Sequence, residues 1–250
     1  MPQSSLVLNI ETDLSDEEAA PFLCGIHAAA IELQVEELQL NLSMFKDMTL
    51  MAESMERLVP GVPFEQSAAK NGYYGLIGSD VIFWNFLNSR DNPDFDFVFR
   101  VGAHELFHAV QTSLIDGGSL GDFPAWLIEG AAEFFALGML EKYGYLEHLE
   151  RWTTFGKVFA LNYVNDPGRL ATWETSGPYG EGKAPYLNYP LVAEIVGRLA
   201  SMSSNEAVLR DFWREKSTQE TWQVTFERVF GLSVQEFYEI IDSEYSASQS

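Results

Sequence analysis

The segment His104-Glu105-Leu106-Phe107-His108 constrains this chain more than any other. It reads HExxH, and that pattern carries chemistry only on a helix. Residues four apart there lie one turn apart on the same face, so both imidazoles can reach one metal ion. Glu105 sits one step round the helix, placed to act on an attacking water rather than on the metal. The chain has only four histidines, so two of them in this register mark its strongest candidate metal site. Asp91-Asn92-Pro93-Asp94 is a helix start signal, and the expected helix runs to about Ile115.

A catalytic zinc takes three protein ligands and leaves one position open. The next informative segment is Trp126-Leu127-Ile128-Glu129-Gly130-Ala131-Ala132-Glu133. The chain between His108 and Glu129 is long enough to finish the first helix, turn at Asp116-Gly117-Gly118 and begin a second helix packed against it. That helix is expected from about Pro124 to Tyr143, with Gly144 as its stop. Ala131, Ala132 and Ala136 are small enough to let the two helices approach. Glu129 and Glu133 share a face. Such pairs ordinarily form a solvated surface, but these are embedded among Trp126, Leu127, Ile128, Phe134, Phe135 and Leu137, and a carboxylate in apolar company needs a partner. Glu129 is therefore assigned as the third ligand. Glu133 is assigned to accept the free ring N–H of His104 or His108 and fix its tautomer. The implied cofactor is one Zn(2+) per chain.

The two segments together resemble the gluzincin metallopeptidases, in particular the compact peptidase MA-like family, with thermolysin and the M1 aminopeptidases as more distant relatives of the same ligand plan. The resemblance covers roughly residues 75–245 and is specific only over 104–133. It implies that His104, His108 and Glu129 bind zinc and that Glu105 is the general base of peptide hydrolysis. A metzincin plan needs a third histidine six residues after His108, where Leu114 stands. Tyr189-Pro190-Leu191-Val192-Ala193-Glu194 is similar to the tyrosine-led helix that follows the zinc site in M1-like enzymes, which implies that Tyr189 supports the oxyanion; Tyr186 and Tyr179 are the alternatives. Gly231 to Tyr238 resembles the family's closing helix. The strand before the zinc helix, here Val81 to Leu87, lies at the sheet edge in gluzincins and pairs with substrate; an ordinary buried strand is the other reading. Nothing upstream matches the GxMEN-type segment that holds a free amine, which favours an endopeptidase over an aminopeptidase. Thermolysin places a downstream histidine at the oxyanion, and His148, at the end of the second helix, is badly placed for that.

The fold class expected is α+β: a gluzincin-like zincin fold with a small mixed β-sheet in the N-terminal part, a zinc-binding helix pair and a mainly helical C-terminal part. Residues 1–90 would form the α/β part and 91–250 the zinc helices and helical remainder, with the cleft between. A length of 250 residues suffices for a substantial core. The 37 acidic against 15 basic residues give a formal charge of −22, which argues against nucleic acid or an anionic membrane surface as partner. The expected partner is a peptide or protein substrate, with the oligomeric state open. The single Cys24 rules out an internal disulfide. No basic leader with an apolar run and no stretch of eighteen apolar residues is present, and cytoplasmic residence is the expectation.

Along the chain, Leu6 to Ile10 reads as a strand. Ser15 with Glu18 forms a capping box, and apolar spacing carries the helix it opens toward residue 39, with Pro21 as a kink or restart. Cys24 and His27, three apart on that helix, read as core. Residues 38–59 alternate and then turn helix-like, and Pro60-Gly61-Val62-Pro63 is a break. Gly72 to Leu87 reads as strands about a turn at Gly78-Ser79-Asp80. Residues 162–185 form a loop-rich stretch suited to covering a cleft. Ser203 with Glu206, Ser217 with Glu220 and Ser233 with Glu236 fit capping boxes, and Phe212, Trp213, Trp222, Phe226, Phe230 and Phe237 read as core. The competing class is a non-catalytic, zinc-stabilised binding module. Glu105 argues against it, because a structural zinc has no use for a general base.

Overall fold

The structure is a computed structural model that describes residues 5–35, 37–61, 74–77, 80–85, 94–115, 120, 123–147, 149–154, 170–171, 189–203, 208–216 and 219–247. The architecture is α+β, with a small mixed sheet and a mostly helical remainder. The chain divides into two compact units, Met1–Val110 and Gln111–Ser250, the division falling in the sequence of α3 (Phe95–Leu114).

The first unit is built on strands β1 (Ser5–Thr12), β2 (Glu37–Phe45), β3 (Tyr74–Ile77) and β4 (Val81–Asn85), with helices α1 (Asp16–Glu32) and α2 (Met48–Leu58). Among the described residues the sheet order is β1-β2-β4-β3. β1 and β2 are parallel, in register from Ser5 opposite Glu37 to Thr12 opposite Met44. β2 and β4 are also parallel, and β3 runs antiparallel to β4. Parallel neighbours need a crossover, and α1 supplies the first. Val81, Ile82, Phe83 and Trp84 are buried consecutively, as a strand covered on both faces requires. On one face Phe83 and Phe45 pack with Met51 and Met55 of α2, and Ser43 Oγ bonds Ser54 Oγ at 3.0 Å. On the other, Trp84 stacks on Phe22 of α1 with ring centroids 4.9 Å apart.

Two sequence expectations change here. The run beginning at Val81 is not an edge strand: β4 lies between β2 and β3, because its backbone is taken up by pairing on both sides. Helix α1 ends at Glu32 rather than near residue 39. Gln34 takes a left-handed φ of 52°, and Leu38 belongs to β2, paired with Leu6. Pro21 lies within an unbroken α1, and Cys24 and His27 are exposed rather than core. The Ser15–Glu18 capping box is present.

Helices α1 and α3 touch backbone to backbone through a reciprocal pair of glycines. A Cβ on Gly25 would lie 2.0 Å from the Phe99 carbonyl oxygen, and one on Gly102 would lie 2.3 Å from the Phe22 carbonyl oxygen. No side chain fits at either place, so the pair fixes both the separation and the rotation of α3 just before its HExxH turn.

The second unit holds the end of α3, then α4 (Ala125–Tyr143), α5 (Tyr189–Ser201), α6 (Val208–Glu215), α7 (Trp222–Phe230) and α8 (Val234–Ala247). α4 stops at Gly144, whose φ of 82° lets Tyr145 N–H reach back to the Leu140 carbonyl. α5 packs on α4 where Gly130 leaves room: a Cβ there would lie 2.6 Å from the Val192 carbonyl oxygen. Phe212, Trp213, Trp222, Phe226 and Phe237 are buried and form an aromatic core with Phe123 and Phe230. Trp126 of α4 is tied to it, stacked on Phe237 and donating its indole N–H to the Tyr238 hydroxyl at 3.1 Å. α7 begins at Trp222 after Thr221; Ser217 and Glu206, invoked as cap residues, lie outside the described residues, as do Leu87 and 162–169 and 172–185 of the expected loop.

Ser233 and Glu236 form the capping box expected at α8. Hydrogen bonds first from the Ser233 N–H and then from its hydroxyl hold the Glu236 carboxyl below its ordinary value of 4.5. A depressed folded-state pKa means that this carboxylate stabilises the fold above the ordinary value and ceases to as pH falls through the lowered one. Glu236→Gln should therefore melt lower than the unaltered chain at pH 7, and in thermal melts the gap should close as the pH falls through the lowered value.

Candidate metal centre

His104 and His108 lie on one face of α3 and are both buried. Their Nε2 atoms are 3.0 Å apart, with the rings nearly perpendicular at 84°. Two ring nitrogens at that distance share either a proton or a cation. Glu129, on α4, is buried as well, and one ligand atom each from His104, His108 and Glu129 all fall within 4.8 Å of one another. Among the described residues this buried group could hold a metal ion. Glu105, next to His104, is 2 % exposed, and Glu133, one turn after Glu129, is fully buried.

The helices that carry these groups are held by features the sequence reading did not single out. The Gly25–Gly102 contact sets α3 immediately before His104. Gln111 follows His108 by three positions and is completely buried. Its amide donates to the carbonyl of Ile128, the residue before Glu129, at 3.2 Å. That bond locks the rotation of α4 against the end of α3. The signal for it was available: 104, 108 and 111 lie on one helical face, and a glutamine carried into the interior beside the two histidines needs a partner. Gln111→Ala should cost about 1–3 kcal/mol, a fall of about 2–12 °C in melting temperature for a chain of this size; an unchanged melt would remove Gln111 from this role.

Tyr189 opens α5 and is 40 % exposed. It stands three residues before Val192, whose carbonyl abuts Gly130, the neighbour of Glu129. Tyr179, Tyr186 and His148 lie outside the described residues. Arg100, one turn before His104, is a buried charged residue that the sequence reading did not anticipate; its guanidinium lies 5.1 Å from the centre of the Phe97 ring.

No protein-family model, curated protein or solved structure matches this chain. No helix among the described residues is long and apolar enough to cross a membrane.

Proposed function

We propose that this chain is a zinc-dependent metallopeptidase, hydrolysing peptide bonds with Glu105 as general base. The observation that carries the reading is the buried convergence of His104, His108 and Glu129 with Glu105 beside it. The donor set fits zinc: two imidazoles and one carboxylate are the ligands of open, catalytic sites. Structural sites are closed by four ligands, often thiolates, and the one cysteine, Cys24, is exposed and outside this group. His104, His108 and Glu129 would hold the zinc ion, which would supply Lewis acidity for a carbonyl and lower the pKa of water toward neutrality.

The chain's own residues do the rest. Glu105 takes the proton of the attacking water and returns it to the leaving amine, work worth about 10²–10⁴ in rate. Glu133 holds a histidine ring in its ligating tautomer. Tyr189 donates its hydroxyl to the oxyanion of the tetrahedral intermediate, a contribution of about 10²–10³. The substrate is a peptide or protein, cleaved internally, since no segment matches those that hold a free amino terminus.

The test is a mixed peptide library incubated with zinc-loaded protein, beside Glu105→Gln, and read by mass spectrometry. Internal cuts made only by the unaltered chain support the reading. Cuts confined to the amino-terminal residue would make it an aminopeptidase. No cuts at all would favour a zinc-stabilised binding module.

A further inference from the structure

Helix α4 also borders a groove of about 790 Å³, whose lining reaches round the helix from Leu137 to Gly138. Gly138 lines it, nine residues after Glu129, which is about two and a half helical turns and so half a revolution away. The groove is shared with α5 and with the helical residues 149–154. Its walls are apolar and aromatic, with Phe134, Leu137, Leu149 and Trp152 prominent, and three carboxylates, Glu141, Glu150 and Glu194, complete it. None of the described residues lining it is basic.

Two glycines face this groove, and they differ in kind. Gly197 is needed for packing, since a Cβ there would lie 2.8 Å from the Phe134 ring. Gly138 has no such reason. A Cβ there meets nothing within 4 Å, and its backbone is ordinary helix. A glycine inside a helix costs about 1 kcal/mol relative to alanine, so packing alone favours a side chain at 138. What Gly138 leaves open is the groove itself. One carboxylate is also fixed in place: Tyr245 is hydrogen-bonded to Glu194, and burial followed by the Glu194 charge holds its phenol above the ordinary range, as a proton donor.

We propose that this groove binds a small organic cation with an apolar body, a hydrophobic amine. The volume lies in the range of about 300–1,000 Å³ typical of small-molecule sites. Aromatic faces and ionised carboxylates attract an ammonium group together, while the leucines cover the apolar body. The chain's charge of −22 draws cations toward it.

The experiment is calorimetric titration of the full chain with 4-phenylbutylammonium and its shorter and longer alkyl homologues, against the matching neutral alcohols and carboxylates. The expected result is saturable amine binding at least tenfold tighter than the alcohol, with none by the carboxylate. Gly138→Leu, which fills the groove, should abolish it while melting at or above the temperature of the unaltered chain. Glu150→Gln with Glu194→Gln should weaken it at least fivefold. The proposal is overturned if alcohol and amine bind alike, if Gly138→Leu binds undiminished, or if no amine of the series saturates at millimolar concentration. It is also overturned if a basic amphipathic peptide binds where the amines do not, which would give the groove to a protein partner. Peptide-library cleavage by Gly138→Leu separates this site from the metal centre, because that variant should still cut.

Discussion

Glu105→Gln is expected to bind zinc as the unaltered chain does and to lose about 10²–10⁴ of its turnover on peptides. The reason is geometric. Glu105 lies between two residues of the HExxH turn, is buried, and is not one of the three side chains whose ligand atoms converge. Replacing its carboxylate by an amide keeps size and burial and removes only the capacity to accept a proton. Zinc content and the melting temperature of the zinc-loaded protein should therefore hold while hydrolysis falls. Glu129→Ala should show the reverse order of events, with zinc lost first and activity in consequence. A Glu105→Gln protein that cleaves peptides at the full rate would rule out Glu105 as the base.

The second large effect is expected from alanine at Gly25 or Gly102. Each new methyl would stand against a backbone carbonyl, at 2.0 Å from Phe99 O or 2.3 Å from Phe22 O. Backbone cannot swing aside as a side chain end can, so α1 and α3 must separate. Overpacking of this kind costs about 1–3 kcal/mol and occasionally more, against a gain of about 1 kcal/mol in helix propensity. The net expectation is a destabilised protein with weakened zinc binding, because the displaced turn of α3 leads directly into His104. Gly138→Ala is the internal control. It is the same exchange in a helix with open space before it, and should stabilise by about 0.5–1 kcal/mol. Thermal melts of the three variants decide the matter; a common sign would contradict the contact.

The grouping of His104, His108 and Glu129 was more legible in the sequence than the fold around it, and the difference is one of range. HExxH and the glutamates of α4 are local patterns, whose meaning follows from the helical period within a few turns. The stop at Gly144 and the capping boxes at Ser15 and Ser233 are local too, and each stands where the residues indicated. The end of α1 was not legible, because apolar spacing from Leu23 to Leu38 keeps a helical period across a boundary set by strand pairing. Glu37 onward is drawn into β2 by β1, opposite Ser5 and its successors, and tertiary pairing overrides the local pattern. The place of β4 in the sheet depends likewise on β2. Its unbroken apolar run was consistent with an interior strand, and the family resemblance pointed to the edge instead. The Gly25–Gly102 contact was invisible for the same reason: a glycine within a helix reads as a local cost until the carbonyl packed on it is known.

The most direct test of the central claim is the zinc content of the purified chain after equilibration with zinc and dialysis, measured for the unaltered protein and for His104→Ala, His108→Ala, Glu129→Ala and Glu105→Gln. Three converging ligands predict one zinc per chain in the unaltered protein and in Glu105→Gln, and its loss from each of the other three. Zinc retained at full occupancy in His104→Ala, His108→Ala and Glu129→Ala alike would contradict the metal centre, and with it the proposed hydrolysis.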